Sequence, residues 1–274
     1  MKITLDLGGT NIRAARIDDG RCIDMTSVKC NADGTEDEII DTIASLMLPL
    51  LTPEVDGIGI GVPSVVDPDR GIVYNAVNIP SWQKVELKRK LEERLGREVR
   101  VNNDCNCFAL GEQRFGAAKG YDNVVGITLG TGVGAGVIIG GKLYTGQLCG
   151  AGEIGSLPYL DADYESYCSS QWFKRHATDG KTMAIEAAKG DETALKLWSE
   201  FGHHLGELIK VCLWAYAPEA IVIGGGLAAS YSLFEPSMME TVNTFPYAPI
   251  ARNCKIMTAT LPNAGLLGSS LLFD

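Results

Sequence analysis

Ile3-Thr4-Leu5-Asp6-Leu7-Gly8-Gly9-Thr10-Asn11-Ile12-Arg13-Ala14-Ala15-Arg16-Ile17 reads as a strand, a glycine turn and a returning strand. The same arrangement recurs later. Val124–Leu129 is strand-like, Gly130-Thr131-Gly132-Val133-Gly134 is the turn, and Val137–Ile139 is the next strand. Neither turn opens a helix. Glycine lets backbone N–H groups approach an anion closely, so each hairpin turn is a candidate phosphate cradle. Between the turns stands Asn102-Asn103-Asp104, where a strand runs into a helix. Two cradles and a poised carboxylate are the parts needed to move a phosphoryl group onto a hydroxyl.

Other readings of the glycine runs fit less well. Gly130-Thr-Gly132-Val-Gly134-Ala135 matches a dinucleotide fingerprint, but that motif must open a helix, and here an apolar strand follows. Gly136–Leu143 half-matches a P-loop, with Leu143 where a magnesium-binding hydroxyl belongs.

Composition sets outer limits. The 274 residues carry a formal net charge of −10, which argues against a nucleic-acid partner. No apolar run is long enough for a membrane span, and the start lacks a signal peptide's apolar core, so the expected location is the cytoplasm. Eight irregularly spaced Cys suit reduced, packed thiols. Cys105-Asn-Cys107 is a weak metal signal, and no zinc is expected.

Helical patterns fall between the strands. Thr35-Glu-Asp-Glu38 has the capping-box form and precedes Ile39, Ile43, Leu46 and Leu50. Leu87, Leu91 and Leu95 form another stripe, closed by Gly96. Asp104 is read as the cap of a helix through Arg114. Asp191 starts a long helix to about Ala217, with Leu195, Trp198, Phe201, Leu205, Leu208 and Cys212 on one face. His176, His203 and His204 are read as packing or surface residues. The expected fold is α/β, with domains 1–104 and 105–274 flanking a cleft. The last helix, Ala264–Phe273, is free to pack back on the first domain.

Six motifs in order carry a resemblance. Asp6-Leu-Gly-Gly-Thr10, Gly61-Val-Pro63, Asn102-Asn-Asp104, Leu129-Gly-Thr-Gly-Val-Gly134, Gly152-Glu-Ile-Gly155 and Gly224-Gly-Gly226 resemble the ROK sugar kinases of the hexokinase/actin-like ATPase superfamily. The resemblance runs from about residue 2 to residue 270. It implies two ribonuclease-H-like domains and phosphorylation of a hexose or N-acetylhexosamine by MgATP. Asp6 then holds magnesium, usually through water. Gly8, Gly9, Thr10 and Asn11 face ATP phosphates from the first half, and Thr131 and Gly132 from the second. Gly224, Gly225 and Gly226 form the adenosine-side turn. Asn78, Asn103, Asp104, Glu153 and Ser156 are the sugar-side positions, with Asp104 the catalytic base.

One departure stands out. The family usually has His at position 156, shared between sugar and a structural zinc, and a Cys-rich segment after it. This chain has Ser156, and the expected ligands are gone, although Glu165-x-Tyr167-x-Ser169 resembles the tail of that segment. A zinc-less branch is expected, with Pro158 and Tyr159 as candidates for a new wall. The expected function is phosphorylation of a hexose 6-hydroxyl, glucose or a near relative. Fructose, mannose or an N-acetylhexosamine is the alternative sugar. A sugar-sensing regulator is the runner-up, counted against by the chain's start at the first strand. The partner is a small sugar, and a homodimer is left open.

Overall fold

The computed structural model describes residues 1–8, 10–76 and 78–274. By contacts the chain divides into two compact units. The first is Met1–Lys119, Leu143–Ala151 and Leu261–Asp274; the second is Gly120–Lys142 and Gly152–Thr260.

The first unit is built on a five-stranded sheet. Strands β1 (Lys2–Leu7), β2 (Asn11–Asp18) and β3 (Arg21–Lys29) form an antiparallel meander. Helix α1 (Glu36–Met47) follows, started by the expected capping box: Thr35 Oγ1 accepts from Glu38 N at 3.3 Å, and Thr35 N donates to Glu38 Oε2 at 2.8 Å. Strand β4 (Gly57–Val62) pairs parallel to β1. A small antiparallel sheet intervenes, made of β5 (Val65–Asp67), β6 (Ile72–Tyr74) and β7 (Lys84–Val85). Helix α2 (Leu87–Leu95) buries its three leucines and ends at left-handed Gly96. Strand β8 (Val99–Asn103) pairs parallel to β4, giving the sheet order β3-β2-β1-β4-β8. Helix α3 (Asp104–Phe115) follows directly.

The division expected at residue 104 lies at the β8–α3 junction. Contacts leave α3 with the first unit because the chain's last helix, Ala264–Ser269, packs on it at backbone distance. A Cβ on Gly268 would overlap the Cys107 carbonyl, and one on Gly111 would overlap that of Ala264. Six residues cannot hold a helix by local bonds alone, so this close packing is what keeps it. Buried Glu112 adds a polar tie by accepting from Ala117 N at 2.8 Å and Leu261 N at 3.0 Å.

The second unit repeats the plan. Strands β9 (Val124–Leu129), β10 (Val133–Ile139) and β11 (Lys142–Leu143) come first. A two-stranded hairpin follows, β12 (Pro158–Tyr159) and β13 (Ala162–Asp163). Helices α4 (Tyr164–Cys168), α5 (Ser170–Arg175) and α6 (Gly180–Ala188) lead to α7 (Glu192–Tyr216), capped by Asp191. Then come β14 (Ala220–Gly224), α8 (Tyr231–Val242), α9 (Ala248–Asn253) and β15 (Lys255–Thr258). The order β11-β10-β9-β14-β15 matches that of the first sheet: third, second, first, fourth and last strand. The core gathers Trp198, Phe201, Phe173 and Phe234 against β9 and β14. Leu195, expected on the buried face of α7, is exposed; Ala194 and Leu197 take that face instead. Among the described residues, no helix is long and apolar enough to cross a membrane.

The last helix offers a paired test. Gly268→Ala must push α3 away and should lower stability by about 1–3 kcal/mol. Gly265, on the same helix, has open space where a Cβ would go, so Gly265→Ala should be neutral or slightly stabilising. Calorimetric melting of the two variants checks the contrast.

Candidate functional site

In the first unit the parallel strands β1, β4 and β8 end side by side. Their register aligns Asp6 with Gly61, Gly61 with Asn102 and Val62 with Asn103. Ligands of open α/β sheets collect at such carboxyl ends. Asp6 sits there with Oδ2 accepting from Arg13 Nε at 3.2 Å and from Arg13 Nη2; Arg13 Nη1 reaches Asn263 Oδ1 at 3.1 Å. The turn after β1 closes with Gly8 N donating to Asn11 O at 3.0 Å, and Thr10 is exposed beside it. A Cβ on Gly8 would lie 2.9 Å from the Asn11 carbonyl. Gly9 lies outside the described residues.

The cap of α3 is Asn103 and not Asp104. Asn103 Oδ1 accepts from Cys105 N at 2.8 Å and Asn106 N at 3.2 Å, and its Nδ2 donates to Ser64 O at 3.3 Å. A cap needs extended backbone with its own side chain turned back, and the strand's last residue supplies both. Asp104 is thereby the first helical residue, freed from capping, with Oδ1 accepting from Cys105 N at 2.8 Å. Burial, and after it the charge of Asp6, push the Asp104 carboxyl up to about 6, against the pull of its hydrogen bonds with Cys105. Behind these residues Asn102 Oδ1 accepts from Asn103 N at 2.8 Å, from Asn106 Nδ2 at 2.9 Å and from the Cys149 thiol at 3.3 Å. Asn78 is placed differently. It is exposed at φ +65° in the segment between β6 and β7, not on a strand end of the main sheet.

Two carboxylates near enough for one to raise the other suit a hard divalent cation. Magnesium takes one or two carboxylates and fills its other positions with phosphate oxygens and water. Asp6 is the better holder, since Arg13 fixes its carboxylate, while Asp104 is the one biased toward a proton.

In the second unit the turn after β9 is closed by Gly130 N donating to Gly132 O at 3.0 Å. Thr131 is exposed at its tip. Glu165, from α4, buttresses the turn. Its Oε2 accepts from Val133 N at 3.0 Å, its Oε1 accepts from Gln171 Nε2 at 2.9 Å, and a Cβ on Gly132 would overlap it. The glycines of Gly152-Glu-Ile-Gly155 have a plain cause: side chains there would overlap the β10 carbonyls of Ala135 and Val133. Glu153 is thus pinned near the turn. Partial desolvation, then the charge of Glu165, raise its carboxyl. Ser156 is exposed, three residues on. Gly225, at φ +85°, abuts the Leu129 backbone, so it brings the Gly224–Gly226 turn beside the end of β9. A Cβ on Gly226 would meet only open space, so the protein itself does not demand glycine there.

Glu165 is the residue that sequence reasoning passed over. Its signal was present as the Glu-x-Tyr-x-Ser tail, discounted because the cysteines before it were missing.

A twice-repeated sheet with a glycine hairpin in each copy is the fold of the actin-like ATPases. Within that class the chain belongs to the ROK family, whose model matches residues 2–274. A glucokinase of Thermotoga maritima is 29% identical over 98% of this chain and 95% of its own length. A ROK family glucokinase from Streptomyces griseus, solved with glucose and AMPPNP, superposes with a TM-score of 0.85. It is 29% identical, with 99% of this chain and 98% of that one covered. A xylose repressor of Bacillus subtilis is 29% identical over 99% of this chain and 73% of the repressor.

The raised Asp104 carboxyl makes a stability prediction. The fold binds this proton more tightly than the unfolded chain does, so stability is full below about pH 4 and declines as pH rises to about 6. Asp104→Asn should therefore be more stable than wild type at pH 7, by up to about 3 kcal/mol at 1.36 kcal/mol per unit. Urea unfolding at pH 3.5 and pH 7 checks that the gain is confined to the higher pH.

Proposed function

We propose that this chain phosphorylates a hexose with ATP, at the 6-hydroxyl of glucose or a near relative. The observation that carries the proposal is Asp104: a carboxyl at the first turn of α3, relieved of capping, with a proton affinity near neutrality. A general base works best with such a value. Asp104 accepts the proton as the sugar hydroxyl oxygen bonds to the γ-phosphorus, while the bond from that phosphorus to the β,γ-bridging oxygen breaks and ADP leaves. Asn103, whose amide oxygen is occupied by the helix cap, offers the sugar its remaining Nδ2 hydrogen. Asn78 and Glu153 accept from or donate to other hydroxyls, Glu153 as acceptor only when ionised.

The Gly8–Asn11 turn and the Thr131–Gly132 turn present backbone and hydroxyl donors to the phosphates, and Gly226 leaves room for the nucleoside. Asp6 would hold magnesium, which when bound would supply charge neutralisation at the phosphate oxygens. The glucokinase relatives support a sugar kinase. The repressor relative supports a second reading, a sugar sensor without catalysis.

A panel of hexoses, ketoses and N-acetylhexosamines with MgATP separates the two. Sugar phosphate should form; sugar binding without any product would support the sensor. On the best substrate, Asp104→Asn should lower kcat by roughly 10²–10⁴, and wild-type kcat should fall below about pH 6 as the base takes its proton. Retention of more than about a tenth of kcat would remove Asp104 from the role.

Recognition should rest more on Glu153 than on Ser156. A charged acceptor is worth roughly 1.5–3 kcal/mol against about 1 for a neutral group. Glu153→Ala should cost about tenfold or more in kcat/KM and Ser156→Ala only a few-fold. Equal losses would make Ser156 a direct ligand.

A further inference from the structure

We propose that Tyr159 and His204 form a latch that holds the Glu153–Ser156 segment in place, making both positioning residues for sugar binding. The proposal rests on the sugar-kinase reading for its functional consequence, and on the geometry of the second unit for the latch itself.

Only Leu157 and Pro158 separate Ser156 from Tyr159, and the chain between them makes few contacts of its own. Leu157 N donates to Ile154 O at a long 3.4 Å, and Leu157 O accepts from Tyr164 N at 3.1 Å. The hairpin that follows pairs only Pro158 with Asp163 and Tyr159 with Ala162. A ladder of that size does not hold itself in water. Its side chains do not supply a core either: Leu157, Pro158, Leu160, Asp161 and Ala162 are all exposed. Leu160 also sits in the left-handed region at φ +52°, a conformation that an apolar side chain adopts only under constraint.

Tyr159 is the exception. Its ring stacks on Tyr164 at 4.2 Å between centroids and meets Tyr167 edge-on at 5.3 Å. Its hydroxyl lies 3.0 Å from His204 Nδ1. His204 belongs to α7, the 25-residue helix at the centre of this unit's core, and is itself boxed by Tyr167 at 4.7 Å and Trp172 at 4.9 Å. Trp172 in turn is tied down, its indole N–H donating to Leu197 O at 3.3 Å. The latch thus connects a weak surface hairpin to the longest helix of the unit, which lines its core. A second tie secures the turn, where Asp161 accepts from the Tyr167 hydroxyl and from Arg175 Nη2 at 2.9 Å. The imidazole suits this place because burial, with His203 adding to it, pushes its pKa down to about 4 and keeps the ring neutral.

The consequence is directional. Gly152 and Gly155 fix Glu153 from the β10 side, while the latch fixes the chain just beyond Ser156. Loosening the latch frees one end of the segment and leaves the phosphate turn, buttressed by Glu165, as it was. Sugar affinity should fall, and nucleotide affinity should not.

The test uses Tyr159→Phe, which keeps the stack and removes the hydroxyl, together with His204→Leu and His204→Gln. In the full-length protein, Tyr159→Phe and His204→Leu should each raise sugar KM about threefold to tenfold, the worth of one neutral hydrogen bond. ATP KM and kcat should stay within about twofold. His204→Gln, which keeps a polar partner, should recover most of the sugar affinity. The Tyr159→Phe/His204→Leu double variant should be no worse than either single one. Amide hydrogen exchange should accelerate across 153–163 in both disrupted variants.

Sugar and ATP KM rising together with a lower melting temperature would reduce the pair to ordinary core residues and overturn the proposal. Unchanged exchange across 153–163 would overturn it as well. Wild-type protein that phosphorylates and binds no sugar would sink the kinase reading instead, and the exchange measurement would still decide whether the latch exists.

Discussion

Like charge held close and half-dry is the constraint around which the first unit is organised. Asp6 ends β1, and Asp104 opens α3 directly after β8, two strands away across β4. Left to themselves, two such carboxylates would separate or fill with water. The sheet prevents the first. The second is limited by buried Asn102, Asn103 and Asn106 at the base of the helix: Asn102 and Asn103 accept from backbone N–H groups, and Asn106 Nδ2 donates to Asn102 Oδ1. Arg13 then breaks the symmetry by pairing with Asp6 alone. One carboxylate is paired with a guanidinium and the other is not, and it is the unpaired Asp104 whose carboxyl is pushed up.

In the second unit, backbone lies directly against backbone, as the last helix does on α3 in the first. Gly225 against Leu129, and Gly152 and Gly155 against β10, bring three loops together with no side chains between them. A carboxylate, Glu165, occupies the donor at the foot of the turn. Both units thus combine neighbouring carboxylates with close main-chain packing, Asp6 with Asp104 and Gly268 on Cys107 in the first, Glu153 with Glu165 and Gly225 on Leu129 in the second.

The parts legible in the sequence were those with a period or a steric requirement. Glycine flanked by alternating apolar residues gave both strand–turn–strand pairs, the capping box gave the start of α1, and Asp191 gave that of α7. Strand β3 was not read, because Arg21–Lys29 buries almost nothing: eight of its nine positions are exposed, and no alternation marks an inner face. The small β5–β7 sheet and the β12–β13 hairpin are two or three residues per strand, too short for any periodicity to register. The cap of α3 was misplaced by one residue, since Asn and Asp serve equally well there and only the backbone torsions choose between them. Glu165 was missed because its role depends on Gly132, thirty-three residues earlier in sequence, and such pairings are invisible to local pattern.

The return of Leu261–Asp274 to the first unit bears on how the protein is made. A ribosome releases Met1–Lys119 early, yet that segment lacks the helix whose backbone fits against α3. Gly111 and the apolar underside of β1 and β4 are then left facing solvent while some 140 further residues are added. The second unit, apart from one short excursion at Leu143–Ala151, is continuous and has no such wait. Completion of the cores thus runs opposite to the order of synthesis, with the second unit able to finish first and the first one depending on Leu261–Asp274, which emerges after it.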